Sequence, residues 1–278
     1  MNKYKRYERI AVMFKVFSEN PNTVIKLEYF MKLFDMAKSS SSEDIEILRN
    51  IIDKFGYGKL LTISGAGGGI KYLPFHRADS YKPFIEELCF KLKDKSRIIP
   101  GGFLYTSDLI YSPSVVTKIG ELLAMPFQDK DVDAVVTVET KGIPIALMSA
   151  RALNVPLVIA RKDSKVTEGS FVSINYVSGS QKRIRTMSLS RRSLKRGSRV
   201  LIIDDFMKAG GTIKGMSELM DEFEALVLGA GVMISTKEPE NKLVDNYYSI
   251  FVLDDLEEDT ENIKIEISDL FLNKNFIS

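Results

Sequence analysis

The stretch VLIIDDFMKAGGT, residues 200–212, decides how the chain is expected to fold. Its first four residues are an apolar run typical of a buried strand, the adjacent carboxylates Asp204 and Asp205 follow, and a turn of small residues leads into a segment with helical apolar spacing. The backbone N–H groups of such a turn, together with the positive end of the helix dipole, make a site for a phosphate monoester. Because carboxylates beside the turn can accept hydrogen bonds from sugar hydroxyls, the stretch predicts a strand, a loop and a helix that bind a ribose 5-phosphate.

The sequence on both sides of this stretch alternates between strand-like and helix-like patterns. Apolar runs predict buried strands at 134–138, 157–160, 200–203, 227–234 and 249–253, and helices are predicted at 143–153 and 213–225. This alternation is typical of an open α/β domain with a mostly parallel sheet, whose ligands bind at the carboxyl ends of the strands. The acidic loop is therefore expected at the ligand-binding edge of the sheet.

Residues 200–212 resemble the thirteen-residue signature of type I phosphoribosyltransferases, and the similarity, greatest to the xanthine and adenine members, extends over roughly residues 100–250. It implies the type I phosphoribosyltransferase fold, with 5-phosphoribosyl 1-pyrophosphate as an effector that is usually bound with Mg²⁺ and no other cofactor required. The binding residues that it implies lie in four segments. They are Asp204, Asp205, Phe206, Met207, Lys208, Ala209, Gly210, Gly211 and Thr212 in the signature loop, Glu139, Thr140, Lys141 and Gly142 in a pyrophosphate loop, Arg161 and Lys162 as a further pyrophosphate contact, and Tyr105 in the region that helps enclose the base.

One departure from the family's pattern bears on catalysis. Members often have Ala-Thr-Gly-Gly-Thr where this chain has KAGGT at 208–212, so a hydroxyl is lost and a cation is gained near the phosphate. Phosphate binding is compatible with this change, but the case for catalysis is weakened, and we expect neither enzymatic activity nor catalytic residues. With one Cys and one His in the chain, we also expect no zinc finger or His-rich metal site.

The formal net charge of +2 combines two parts of opposite sign. Residues 1–77 hold thirteen Lys/Arg and eight Asp/Glu, a net charge of +5, which leaves −3 for residues 78–278. We therefore predict a basic N-terminal domain, residues 1–74, and a mildly acidic α/β domain, residues 75–278. Because the start of the chain lacks the apolar core of a signal peptide and no run of about 18 apolar residues occurs, we expect a cytoplasmic protein without membrane contacts.

The first 74 residues carry the pattern of a winged helix. Apolar spacing predicts a first helix, followed by a short second helix. The predicted apolar face of the first helix consists of Tyr7, Ile10, Ala11, Phe14 and Phe17. Ser40 and Glu43 suggest a capping box at the start of a third helix. Two strand-like runs around the glycine-rich turn at 65–69 complete the pattern with a β-hairpin.

A winged helix places its third helix in the DNA major groove and its cations on phosphates. The candidate contacts with double-stranded DNA lie in the N-terminal arm, at the start of the third helix and beside the wing. They are Lys3, Lys5, Arg6, Arg9, Lys38, Ser39, Ser41, Ser42, Lys59 and Lys71. Glu43, Asp44 and Glu46 count against this prediction because they repel phosphate unless they face away from the DNA. The alternative is a small dimerisation or lid domain with solvated charges.

A second basic stretch, residues 178–199, holds eight Lys/Arg and no Asp/Glu. In the phosphoribosyltransferases that the chain resembles, the corresponding segment is a mobile flap that closes on the pyrophosphate and excludes water. Three hypotheses stay open for it: a ligand flap, a contact with DNA, and a solvated loop.

A basic winged helix joined to a phosphoribosyltransferase-like domain resembles the purine operon repressors of Gram-positive bacteria over nearly the full length. The resemblance implies a homodimeric repressor that binds purine operators, responds to 5-phosphoribosyl 1-pyrophosphate and catalyses no reaction. Guanosine tetraphosphate is a further expected ligand of the same pocket. Two alternatives stay open: an active xanthine- or adenine-type phosphoribosyltransferase with an extra N-terminal domain, and a ligand sensor whose N-terminal module binds a partner other than DNA.

Overall fold

The computed structural model describes residues 4–75, 78–162, 169–177, 184–254 and 263–272. The contacts divide the chain into two units, Met1–Ser80 with Ala152–Asn154, and Tyr81–Arg151 with Val155–Ser278. Each unit has a hydrophobic core of its own.

The N-terminal unit is a winged helix, as predicted. Its elements are α1 (Arg6–Glu19), β1 (Val24–Ile25), α2 (Leu27–Phe34), α3 (Lys38–Phe55), β2 (Lys59–Ile63) and β3 (Gly69–Leu73). The strands form an antiparallel sheet in the order β1, β3, β2. The sequence did not predict β1, because two residues are too few to show the period of a strand.

The core of this unit lies between the helices and the sheet. Phe17 of α1 and Phe30 of α2 are fully buried, with ring centroids 5.3 Å apart. The predicted buried face of α1 is partly wrong, since Tyr7 and Ala11 are exposed. The buried face passes instead through Arg9, a cation that pairs with a buried carboxylate of α3.

The third helix begins two residues before the predicted capping box. Ala37 is the N-cap, in extended backbone, and no side chain caps the helix. Ser40 therefore lies inside the first turn, and the predicted capping box of Ser40 and Glu43 is wrong. Because Asp35 ends α2 in the left-handed conformation, with φ 51°, the chain turns tightly and α3 can start at once.

The rest of the chain forms an α/β unit. Its elements are α4 (Ala78–Leu92), β4 (Ile98–Ile99), β5 (Phe103–Leu104), α5 (Ser107–Ile110), α6 (Pro113–Ala124), β6 (Ala134–Val138), α7 (Gly142–Leu153), β7 (Leu157–Ala160), β8 (Phe171–Val177), β9 (Ile184–Ser190), β10 (Arg199–Met207), α8 (Gly211–Asp221), β11 (Leu226–Thr236), β12 (Tyr247–Leu253), β13 (Ile265–Ile267) and α9 (Asp269–Leu272).

The main sheet of this unit is mostly parallel, as predicted. Its strand order is β13, β12, β11, β10, β6, β7, and only β13 runs antiparallel to its neighbour. The chain passes from β6 outward to β7 and then returns to β10 on the other side of β6. The order therefore reverses between β6 and β10, and the carboxyl ends of these two strands border the crevice where open α/β sheets bind ligands.

Within the basic stretch 178–199, the described residues 184–199 are largely strand and turn. Ile184 to Ser190 form β9, which pairs residue for residue with β8. Two of the cations that follow β9 are engaged with acids, Arg196 with Glu224 and Arg199 with Asp131. Lys182 and Arg183 lie outside the described residues. The hypothesis of a solvated loop is therefore wrong for residues 184–190, which form a strand, while the ligand flap and the DNA contact stay hypotheses.

Candidate functional site

Two loops meet at the crevice between β6 and β10. Gly142, which starts α7 after the loop that follows β6, is buried against Asp204 of β10. A β-carbon on Gly142 would lie 2.6 Å from Thr137 Oγ1 and 2.7 Å from Asp204 Oδ1. Only glycine fits at such a close approach, so the sequence brings the predicted pyrophosphate loop and the signature loop into direct contact.

The strand β10 is longer than predicted, and this changes where the two carboxylates lie. It pairs with β11 as far as Met207 but with β6 only as far as Ile202. Asp204 and Asp205 are therefore part of the strand and do not follow it. Because the pairing of β10 with β6 ends at Ile202, Asp204 and Asp205 border the crevice at the end of β6.

Of the two adjacent carboxylates, Asp204 is buried and Asp205 is half-buried. Asp204 is buried, and its pKa is raised well above the usual value, first by burial and then by the charge of Asp205. Its Oδ1 accepts a 2.9 Å hydrogen bond from the backbone N–H of Asp205. Burial also raises the pKa of Asp205, while the nearby charges of Lys141 and Lys162 lower it. Because the two carboxyl groups resist ionising together, hydroxyl donors or cations supplied by a ligand would stabilise their ionised forms.

A third segment joins the site from the end of β7. The backbone N–H of Lys162 donates a 2.7 Å hydrogen bond to Glu139 Oε1 in the loop after β6. Arg161 is bonded through its backbone to Ser188 of β9 in both directions, at 2.9 and 2.8 Å. Thr140 is exposed at the crevice. The structure therefore brings together predicted residues from the loop after β6, the end of β7 and the strand β10 itself.

The turn before α8 leads into a helix that no side chain caps. Gly210 is the N-cap of α8 at φ 86°, and no side chain caps the helix. The carbonyl oxygens of the turn are bonded elsewhere, Ala209 to the Leu243 N–H at 2.9 Å and Lys208 to Thr236 Oγ1 at 3.3 Å. The helix begins at Gly211 and Thr212, whose N–H groups belong to its uncapped first turn.

The three remaining predicted residues of the site, all with large side chains, differ from one another in exposure. Met207 is buried and Phe206 is partly exposed. Tyr105 is partly exposed after β5, and its recorded backbone bonds are with Arg97, which donates to the Tyr105 carbonyl at 3.0 Å and accepts from its N–H at 2.7 Å. These contacts do not connect Tyr105 with the loops of the crevice.

Sequence reasoning missed Tyr176, a buried residue of β8. Its Cβ would lie 2.8 Å from a β-carbon on Gly215 of α8, so the hairpin packs closely on the helix that starts at the phosphate turn. Burial raises the pKa of Tyr176, and the charges of Arg185 and Asp204 lower and raise it respectively, so the phenol lies within their electrostatic reach. No local sequence signal distinguishes this tyrosine from the other strand residues around it.

The predicted DNA contacts divide into exposed and buried residues. Six are exposed and Lys71 is half-buried, while Lys3 lies outside the described residues. The exposed ones are Lys5, Arg6, Lys38, Ser39, Ser42 and Lys59. Arg9 and Ser41 are buried in the core of the winged helix, so a direct phosphate contact by either is wrong for this structure.

The acids at the start of α3 are each paired with an arginine. Arg6 Nη2 donates to Glu43 Oε2 at 2.8 Å, and Arg9 lies against the buried Asp44. Glu46 pairs with Arg49 one turn further along α3. The repulsion that these acids would exert on phosphate is therefore largely neutralised within the unit.

The described ranges contain neither a cluster of metal ligands nor a membrane-spanning helix. Within them, no three His, Cys, Asp or Glu side chains converge to hold a metal ion. No helix among the same residues is long and apolar enough to cross a bilayer.

Comparisons with known proteins identify both units. The family described as bacterial purine repressor, N-terminal, matches residues 5–74, and the family described as phosphoribosyl transferase domain matches residues 107–268. Over 275 residues the chain is 46% identical to the purine biosynthesis transcriptional repressor PurR of Bacillus subtilis (strain 168), covering 99% of this chain and 94% of that protein. The chain belongs to the bacterial purine repressor family.

Relatives within the bacterial purine repressor family carry names that differ in the direction of regulation. The relative from Lactococcus lactis subsp. lactis (strain IL1403) is named purine biosynthesis transcriptional activator PurR and is 38% identical over 270 residues, 97% of this chain and 100% of that protein. Among solved structures, adenine phosphoribosyltransferase from Saccharomyces cerevisiae aligns with a TM-score of 0.53 at 21% identity, over 60% of this chain and 98% of that one. This likeness shows that the α/β unit has the phosphoribosyltransferase fold.

Proposed function

We propose that this protein is a transcriptional repressor that binds double-stranded operator DNA of purine biosynthesis genes and releases it when 5-phosphoribosyl 1-pyrophosphate binds. The observation that carries the proposal is the convergence of Gly142, Asp204 and the Glu139 to Lys162 bond at the crevice between β6 and β10. Repression is favoured over activation because identity is 46% to the named repressor and 38% to the named activator.

The crevice offers a complementary group for each part of this ligand. The uncapped first turn of α8 suits the 5-phosphate, and Asp204 and Asp205 suit the ribose hydroxyls. Lys141 and Lys162, whose charges act on Asp205, suit the pyrophosphate. Mg²⁺ fits this donor set because the pKa values of both adjacent carboxylates are raised, and the ion would neutralise charge between them and the pyrophosphate.

The winged helix offers a cationic surface for DNA. Lys5, Arg6 and Lys38 are exposed around the start of α3, and Lys59 is exposed where the wing begins. The first turn of α3 has no side-chain cap, so its N–H groups can also meet a phosphate. Base contacts then fall to Ser39 and Ser42, which are exposed on the same turns.

The proposed effector response follows from linkage between the two ligands. A ligand that binds the DNA-free form more tightly must weaken DNA binding, and DNA must weaken ligand binding by the same factor. Guanosine tetraphosphate carries a ribose and diphosphates and is proposed to use the same crevice. We propose a cytoplasmic homodimer as the working form.

The test is a titration of 5-phosphoribosyl 1-pyrophosphate with Mg²⁺ into the full chain, with and without a duplex from upstream of the organism's purine operon. We expect calorimetry to give weaker ligand binding in the presence of DNA, and anisotropy to give weaker DNA binding by the same factor when ligand is present. Ligand binding that is indifferent to DNA would contradict the proposed release.

A second candidate is an active purine phosphoribosyltransferase, which the fold and the intact crevice favour. The KAGGT sequence at 208–212 weighs against it, because a hydroxyl is replaced and a cation is added at the phosphate turn. Incubation with 5-phosphoribosyl 1-pyrophosphate and xanthine, hypoxanthine, guanine or adenine decides between a non-catalytic repressor and an active transferase. We expect no release of pyrophosphate above the rate without base.

A further inference from the structure

The N-terminal arm, here Tyr4 and Lys5 before α1, meets α1 and α3 at one buried ion pair. The side chains of Arg9 and Asp44 are 6% and 0% exposed, and Arg9 Nε donates a 2.6 Å hydrogen bond to Asp44 Oδ2. A second nitrogen of the same guanidinium, Nη1, donates to the carbonyl oxygen of Tyr4 at 2.9 Å. One planar group therefore connects the arm before α1 with both helices.

A second arginine approaches the same carboxylate from the solvent side. Arg6 Nε lies 3.2 Å from Asp44 Oδ1, yet this oxygen has no hydrogen-bond partner among the described residues. Arg6 Nη2 donates instead to Glu43 Oε2. The Arg6 side chain is half-exposed and can reach a phosphate, whereas Arg9 cannot.

A buried ion pair is a costly way to hold two helices together. Removing both charges from water costs free energy, and apolar residues of similar volume often stabilise a core equally well. The guanidinium has its donors in a rigid plane, so it accepts only a narrow range of positions for its two acceptors. Arg9 therefore acts mainly by fixing the relative positions of the three segments that it joins.

Both segments that Arg9 joins to α1 carry candidate DNA contacts. The arm before α1 leads to the exposed cations Lys5 and Arg6, and the helix that holds Asp44 begins with the exposed Lys38, Ser39 and Ser42. Base contacts demand correct register along the duplex, whereas phosphate attraction tolerates small displacements. A loss of fixed geometry should therefore affect sequence discrimination more than general affinity.

We propose that Arg9 and Asp44 are positioning residues for operator recognition, holding the N-terminal arm and the start of α3 in the one arrangement that fits a single duplex. This inference rests on the DNA binding that is part of the proposed function. Neither residue touches DNA, and the pair acts through the segments that it joins.

The test compares operator preference with stability in the full-length protein. Anisotropy measures Kd for a duplex from upstream of the purine operon and for a scrambled duplex of equal composition, at several salt concentrations. In the double variant Arg9→Met, Asp44→Leu, we expect the midpoint of thermal unfolding to stay within a few degrees of the wild type. We expect the ratio of Kd for the scrambled duplex to Kd for the operator duplex to fall at least tenfold. The slope of log Kd against log salt should stay unchanged.

Arg9→Lys is the second variant, and it decides the question if the double variant does not fold. It keeps the charge but loses the fork that reaches both Asp44 and Tyr4, so the ratio should fall while scrambled DNA is bound as before. The control is Lys15→Met with Glu19→Gln, an exposed pair on α1 with a 2.8 Å contact. It should change neither the ratio nor the stability.

The outcomes separate this inference from the proposed function. A folded double variant, or Arg9→Lys, that keeps the wild-type ratio overturns the positioning role. Equal loss of binding to both duplexes, in proportion to unfolding, also overturns it, because a merely structural role predicts that result. If the wild-type protein itself prefers neither duplex, the proposed function fails, and this inference fails with it.

Discussion

Gly142 and Asp204 lie so close together that no side chain fits between them. A β-carbon on Gly142 would lie 2.7 Å from Asp204 Oδ1 and 2.6 Å from Thr137 Oγ1. Both neighbours are buried, so neither can move aside into solvent. This contact sets the separation between the loop after β6 and the carboxylates of β10, so we expect the proposed ligand binding to be sensitive to a single added methyl group.

Gly142→Ala should lower affinity for 5-phosphoribosyl 1-pyrophosphate at least tenfold, equivalent to about 1.4 kcal/mol. The added methyl forces the loop away from Asp204, so a ligand can no longer contact the pyrophosphate loop and the carboxylates together. Calorimetric titration measures the affinity, and operator binding should stay at the wild-type value because the winged helix is unchanged.

The matched control is Gly67→Ala in the wing, where an added β-carbon meets nothing within 4 Å. It should leave ligand affinity unchanged. If Gly142→Ala also binds ligand as the wild type does, the two loops do not form one site.

The buried Asp204 gives stability a pH dependence of definite sign. Its pKa is raised in the folded state, chiefly by burial, so the folded protein binds the proton more tightly than the unfolded chain. The free energy of unfolding therefore falls as pH rises from the ordinary Asp pKa of about 3.9 through the raised value. Asp204→Asn removes this ionisation, and its Tm should exceed that of the wild type at pH 7, with the difference shrinking toward pH 4.

Asp94→Asn is a control of opposite sign. Asp94 is exposed, and the hydrogen bond from the Ser96 N–H lowers its pKa, so its ionised form favours the folded state. This variant should have a Tm at or below the wild-type value at pH 7. A difference between Asp204→Asn and the wild type that does not vary with pH would contradict the assigned cause.

The sequence predicted best those elements whose environment is uniform along their length. The predicted strands at 134–138 and 157–160 coincide with β6 and β7. Strands of a parallel sheet that are covered on both faces read as continuous apolar runs. The hairpin of β8 and β9 was missed because polar residues such as Arg185, Thr186 and Ser188 interrupt the apolar pattern of β9, and the many cations around it suggested a solvated loop.

The same distinction holds for the candidate site. The turn at 208–212 and the adjacent acids are contiguous in sequence, so their chemistry could be predicted without the fold. Arg9 was wrongly assigned to DNA contact and Tyr176 was missed, because their environments depend on residues that are distant in sequence. Asp44 makes Arg9 a core residue, and Gly215 brings Tyr176 close to the helix of the phosphate turn.

The exposed cations of the winged helix should contribute to the salt dependence of DNA binding. If Lys5 and Lys59 each neutralise one phosphate, Lys5→Ala and Lys59→Ala should each reduce the magnitude of the slope of log K against log salt by about 0.9. Anisotropy titrations at four or more salt concentrations measure the slope. Lys15→Ala, whose side chain is engaged with Glu19 on α1, should leave it unchanged.

A slope that stays the same after loss of Lys5 or Lys59 would remove that residue from the DNA-facing surface. Affinity that does not vary with salt in the wild-type protein would contradict phosphate contacts altogether, and with them the assignment of the winged helix to DNA.

The close packing of α8 on the β8–β9 hairpin gives a final prediction, because the hairpin brings Tyr176 near Asp204. A β-carbon on Gly215 would lie 2.8 Å from Tyr176 Cβ and 3.2 Å from Met187 Cε. Gly215→Ala should therefore displace the hairpin and destabilise the protein by about 1–3 kcal/mol. Because Tyr176 moves with the hairpin, ligand affinity should fall as well, even at temperatures where the variant is fully folded. Ser217→Ala, on the same helix, loses only a 3.0 Å hydrogen bond to the Ile213 carbonyl and should bind ligand normally. If Gly215→Ala lowers Tm but leaves ligand affinity unchanged, the hairpin stabilises the fold without shaping the site.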